Sequence, residues 1–154
     1  MDKDIQKRDA RVLMTLVNTL SLFVRRTMLE WLPDLQSKVG ITEQRYAVMF
    51  ELALQPDISL KDLAKRLVVS HSSLSVMINS MVEQGLVIRV DDPADRRRVL
   101  LRLSEQGNRD LNTAEEYLIE GFEQYLQTLP EADRRDLVEA GGSMLEVTER
   151  ILER

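Results

Sequence analysis

The sequence predicts a mainly α-helical fold interrupted by one short two-stranded β-ribbon. Three observations lead there. Apolar residues recur at three- and four-residue spacing along most of the 154 residues. The period switches to two only within residues 87–103. A serine or threonine stands where four of the later helical stripes begin, at Thr42, Ser59, Ser70 and Ser104.

Residues 5–32 carry Val12, Leu13, Leu16, Val17, Leu20, Phe23, Val24, Met28 and Trp31 on one stripe, a long amphipathic helix expected to stop before Pro33. PDLQSKVG then reads as a connector. Thr42 caps a second helix with Tyr46, Met49, Phe50 and Ala53 expected on its inner face. Ser59 with Asp62 three residues on is a short capping box, and Leu60, Leu63, Ala64 and Leu67 form a one-sided stripe. Val68 and Val69 break the period. Ser70 caps the next helix, residues 71–84, whose stripe is Leu74, Met77, Ile78 and Met81, and Gly85 stands where a left-handed terminator belongs. Two short helices joined by about three residues make a helix-turn-helix. Residues 87–90 and 99–103 then alternate as strands, with Val99, Leu101 and Leu103 set against Leu100 and Arg102. The polar DDPADRRR between them makes the ribbon a wing. Ser104 opens a long helix carrying Leu111, Ala114, Leu118, Phe122 (or Gly121) and Tyr125. Beyond Pro130 a last helix turns Leu137, Met144, Leu145, Thr148, Ile151 and Leu152 inward.

Composition excludes several kinds of chemistry. There is no cysteine, so disulfides, thiolate metal sites and thiol nucleophiles are absent together. The one histidine, His71, has no metal-spaced partner, and no Gly-rich phosphate loop or nucleophile motif is present, so neither enzyme activity nor a cofactor is expected. No apolar run approaches the ~20 residues of a membrane span. The charged start, MDKDIQKRDAR, lacks a secretory apolar core, which makes the cytoplasm the expected location. The net charge of −5 is uneven: residues 56–104 hold eight basic and six acidic side chains, residues 105–154 five and thirteen. A local basic surface, rather than whole-chain charge, matters for nucleic acid.

A helix-turn-helix with a wing points to double-stranded DNA. An α-helix fits the major groove. With its stripe buried, the second helix leaves Ser70, His71, Ser72, Ser73, Ser75, Val76, Asn79 and Ser80 to face outward, small groups that allow close approach to base edges and phosphates. Serine is a mediocre helix former, so the cluster suits a contact surface better than a solvated one. His71 reads equally as a phosphate or base-edge donor and as a surface residue. On the wing, Arg96, Arg97 and Arg98 stand where a ribbon tip meets the minor groove, whose concentrated potential favours arginine. Asp95 is placed to pair with Arg97 and aim it.

These residues resemble the MarR family of transcriptional regulators. The most specific piece is DDPADRRRVLLRLSEQG, which is similar to the family's wing signature through Asp92, Pro93, Asp95, Arg97, Leu103, Ser104 and Gly107. LAKRLVVSHSSLSVMINSMVEQGLV resembles its two reading helices, with one departure: the family commonly has arginine where this chain has Val76, and often where it has Ser80. The resemblance implies a homodimer built by residues 1–36 and 105–154, with residues 37–104 as the winged DNA-binding lobe. Two reading helices would then lie about 34–36 Å apart on a roughly palindromic operator. It also implies release by a small-molecule effector, for which Met28, Trp31, Tyr46, Met49 and Phe50 could form an apolar pocket, though each such residue is more often plain core. A winged-helix adaptor that binds protein instead of DNA is the alternative, favoured by the missing arginines and the acidic total.

Overall fold

A computed structural model describes residues 3–28, 31–95 and 98–152. The elements run α1 (Lys3–Met28), α2 (Leu32–Val39), α3 (Glu43–Leu54), β1 (Ile58–Ser59), α4 (Leu60–Arg66), α5 (His71–Glu83), β2 (Val87–Asp91), β3 (Val99–Leu103), α6 (Glu105–Thr128) and α7 (Glu131–Leu152). The chain divides into two compact units, Met1–Leu118 and Ile119–Arg154, with the boundary inside α6. Among the described residues no helix is long and apolar enough to cross a membrane.

The caps anticipated from sequence are made. Thr42, Ser59 and Ser70 each accept a backbone N–H three residues on, from Arg45, Asp62 and Ser73. The Ser104 hydroxyl accepts from Gly107 N at 2.9 Å in the same way. Each bond satisfies one of the N–H groups a helix start leaves unpaired. Gly85 takes φ 73°, and Gly40 ends α2 at φ 81°, both left-handed.

The stretch expected to be a connector is α2. Pro33 lies at its first turn, where the missing N–H costs nothing, so the proline begins a helix instead of merely ending the previous one. The face of α3 is also rotated from the expected one. Val48, Met49 and Leu52 are buried, Tyr46 is half-buried, and Phe50 and Ala53 are exposed. The ribbon is a three-stranded antiparallel sheet in the order β1-β3-β2. Ile58 pairs with Leu101 and Val87 with Leu103. Leu100, expected outward beside Arg102, is buried: β3 is the central strand, and Ser59 and Val90 flank Leu100 on either side.

The core of the first unit sits directly behind α5. Leu35, Met49, Leu52, Leu63, Leu74, Ile78, Met81 and Val87 are all but inaccessible and come from α2, α3, α4, α5 and β2. Leu111 and Ala114 of α6 join the same cluster. Side chains interlocked at this density leave α5 little freedom to tilt. In contrast, Val12, Leu13, Leu16, Val17 and Leu20 of α1 are exposed, as are Leu137, Leu145 and Ile151 of α7 in the second unit.

Candidate nucleic-acid interface

Helices α4 and α5 meet through a turn in which Val68 takes φ 55° and is 90% exposed. A β-branched residue in the left-handed region is strained, and this one is not enclosed by packing. An open groove beside the turn is lined by Lys61, Ala64, Lys65, Val68, Val69 and His71. Two lysines and the histidine therefore border the start of α5, where unpaired N–H groups already favour anions.

The start of α5 is organised by its own serines. Ser70 Oγ accepts from Ser73 N at 3.1 Å, lies 2.7 Å from Ser73 Oγ and 3.2 Å from Ser72 Oγ. Ser70 is thus a cap first, and it sets the direction of the next two hydroxyls. Further along, Ser72, Val76 and Asn79 are exposed on one face, at three- and four-residue spacing, opposite buried Leu74, Ile78 and Met81. Val76 is 71% exposed. His71 and Ser73 are exposed beside them, while Ser75 is half-buried.

Two arginines that sequence reasoning passed over hold this helix. Arg45 of α3 donates from Nη2 to Ser80 Oγ at 3.0 Å and from Nη1 to Gln84 Oε1 at 2.8 Å, fastening the C-terminal end of α5. Arg89 of β2 donates from Nη2 to Asn79 Oδ1 at 2.5 Å, tying the outer face to the sheet. These pairs span 35, 39 and 10 residues, beyond any local spacing pattern.

At the wing, Asp92 Oδ1 accepts from Ala94 N at 2.8 Å, Asp92 N donates to Arg98 O at 3.0 Å, and Arg98 N donates to Asp95 O at 2.8 Å. Asp92 therefore closes the base of the loop, the role an aspartate before proline suits. The Arg98 guanidinium lies 3.8 Å from Asp92 Oδ2 and 3.9 Å from Asp62 Oδ2, so it bridges the wing to α4 while remaining half exposed. The Ser59 hydroxyl on Asp62, with Lys65 and Arg98 nearby, holds that carboxyl below its usual range. Arg96 and Arg97 lie outside the described residues, and with them the expected Asp95–Arg97 pair.

The residues considered for an effector site separate. Met49 is fully enclosed in the core. Tyr46 stacks on Phe50, centroids 6.1 Å apart and planes at 26°. Burial, then the charge of Glu115 on α6, pushes the Tyr46 phenol above its usual value. Trp31 is half-buried ahead of α2. The Met28 side chain lies outside the described residues.

The sequence model of the MarR family matches residues 39–98, which cover the two reading helices and most of the wing. Over those residues the chain is similar to the MarR family. The relatives it resembles are named as regulators of transcription. A protein named for transcriptional regulation of the hcr operon in Thauera aromatica is 29% identical over 99 residues, 64% of this chain and 60% of that one. The homoprotocatechuate degradative operon repressor of Escherichia coli is 26% identical over 103 residues, 67% of this chain and 70% of that one. This chain thus spans three-fifths of the first relative's length in that alignment. The repressor CouR, solved on a 23-mer DNA duplex, superposes on this chain with a TM-score of 0.61 at 23% identity, covering 85% of it and 94% of CouR. That likeness fixes the winged helix-turn-helix fold.

Proposed function

We propose that the chain is a sequence-specific, double-stranded-DNA-binding transcriptional repressor, acting as a homodimer on a roughly palindromic operator and released by a small-molecule effector. One observation carries the reading. The outer face of α5 presents only short groups, Ser72, Val76 and Asn79, on a helix capped by Ser70 and pinned by Arg45 and Arg89. A surface that is fixed, shallow and flanked by Lys61, Lys65 and the wing suits a groove, and no packing requirement explains its lack of long side chains. Ser70 and Ser73 order the helix start, His71, Ser75 and Val76 frame the base-facing surface, and Arg96, Arg97 and Arg98 of the wing meet the adjacent minor groove. The CouR complex and the Escherichia coli repressor's name support the same assignment.

The dimer is supported by the exposed apolar stripes of α1 and α7, too extensive for helices meant to stay in water. On this reading residues 1–36 and 105–154 pair with a second copy, and residues 37–104 read DNA. The effector is supported by the stacked, half-accessible Tyr46 and Phe50.

The test is binding to the DNA upstream of the protein's own gene at two salt concentrations, wild type beside Arg97→Ala. The expected result is tight binding that weakens steeply with salt, each neutralised phosphate adding about −0.9 to the log–log slope, and that is lost in the variant. Absence of binding at both salts by a folded dimer would transfer the assignment to a protein-binding adaptor.

A further inference from the structure

The reading helix α5, HSSLSVMINSMVE, contains neither lysine nor arginine, yet a guanidinium lies on its outer face. It comes from Arg89 on β2, an exposed residue registered opposite Leu101 in the sheet. We propose that Arg89 is a specificity determinant of this interface: bonded to Asn79, it biases the Asn79 amide toward donating its hydrogen bonds and so selects guanine over adenine. The inference rests on the DNA-binding reading above and deepens it.

A guanidinium carries five N–H donors and no acceptor, so the Asn79 atom facing Arg89 must be the carbonyl oxygen Oδ1. The amide orientation follows, with the two N–H donors of Nδ2 left free for another partner. An asparagine that reads adenine needs both ends of its amide: Oδ1 accepts from the N6 amino group while Nδ2 donates to N7. Here Arg89 already takes one of the two Oδ1 lone pairs, and its unused N–H groups and positive charge lie beside the other. An adenine amino group brought to that place would meet donors. Guanine presents O6 there, an acceptor, with N7 next to it, so both free Nδ2 donors and the guanidinium find acceptors. The arrangement is already formed in the free protein, and Val76, one turn before Asn79 on the same face, bears no group that competes for it.

The experiment is selection of bound duplexes from a randomised pool by wild type, Arg89→Ala and Asn79→Ala. Wild type is expected to enrich guanine at one position of each half-site. In Arg89→Ala the freed amide is expected to move that preference to adenine, a swing on the order of tenfold or more, with other positions unchanged. Asn79→Ala is expected to lose discrimination at that same position, and it reports independently if Arg89→Ala does not fold. Two outcomes overturn the proposal: Arg89→Ala keeping the wild-type base preferences with uniformly weaker binding, which makes Arg89 a phosphate contact, or Asn79→Ala still selecting guanine there. Failure of wild type to retain any duplex removes the DNA-binding reading itself and this proposal with it.

Discussion

Substituting Gly107 by alanine tests how the wing is joined to the long helix that follows it. Gly107 lies in the first turn of α6, and a Cβ built there comes within 2.1 Å of the Leu86 carbonyl oxygen, 3.0 Å of its carbon and 3.2 Å of Leu103 Cδ2. Ordinary contact begins near 3.4 Å, so the methyl lacks more than an ångström of room. The obstructing atom is backbone and cannot swing aside. Leu86 O already accepts from Ser104 N at 3.0 Å, and Leu86 N donates to Met81 O at 2.9 Å, so moving it strains the end of α5 and the start of the wing together. Overpacking of this kind costs roughly 1–3 kcal/mol, and a backbone clash belongs at the upper end. Helix propensity opposes this by at most about 1 kcal/mol, since alanine favours a helix over glycine. The clash wins. A net loss of about 2 kcal/mol lowers the midpoint of a chain this size by roughly 4–8 °C. Gly142 of α7 supplies the contrast, because nothing lies within 4 Å of its added Cβ. Within one protomer only propensity acts there, and alanine that keeps the proposed pairing should raise the midpoint by about 2–4 °C. The assay is thermal and urea unfolding followed by circular dichroism at one protein concentration, because the proposed dimer would make the midpoint concentration-dependent. A Gly107→Ala chain as stable as wild type would refute the packing argument.

Other expectations follow from the same geometry. Val68→Gly relieves a left-handed β-branched residue, and the gain of roughly 1 kcal/mol, net of glycine's entropy, should appear as a higher urea midpoint. Arg45→Ala removes the bonds to Ser80 and Gln84, which should cost about 1 kcal/mol of stability and speed dissociation from operator DNA in a surface-plasmon experiment. Tyr46 should ionise above the usual 10.0 when folded, while the unfolded chain ionises at the usual value. The folded state then holds the proton longer, so stability falls as pH rises past 10.0, and Tyr46→Phe should lessen that fall in unfolding midpoints measured across the alkaline range. Asp62 has the opposite sign: its folded value lies below 3.8, so its contribution is present above that pH and is lost as pH falls through the folded value.

The parts of this fold legible in the sequence are those that local chemistry dictates. Ser59, Ser70 and Ser104 announce helices because an oxygen three residues ahead of a free N–H is a local event, and Gly85 announces a stop because a left-handed residue is needed there. Signals that serve two outcomes failed. Pro33 ends a helix or begins one, and only packing of Leu35 into the core decides for α2. Strand β1, two residues long, is too short to show a period, yet its pairing with β3 buries Leu100 and undoes the alternation expected there. The inner face of α3 was legible only in part: Met49 is buried as expected, but Phe50 and Ala53 look as apolar as Val48 and Leu52, and the packed face takes the second pair.

The interface divides in the same manner. The identity of its outer residues was readable from the stripe they oppose, since burying Leu74, Ile78 and Met81 leaves Ser72, Val76 and Asn79 outside. What those residues are tied to was not. The arginine expected within the reading helix is absent at Val76 and Ser80, but guanidinium groups reach both sides of that helix from α3 and β2. Arg45 bonds Ser80, and Arg89 bonds the neighbouring residue, Asn79. A helix that carries its own arginine reads with a long side chain whose direction its rotamers set. A helix served from neighbouring elements reads with short groups whose direction the fold sets, so its base preference is bound to the stability of the sheet and of α3. Loss of Arg45 or Arg89 should therefore change DNA recognition without removing a residue from the reading helix.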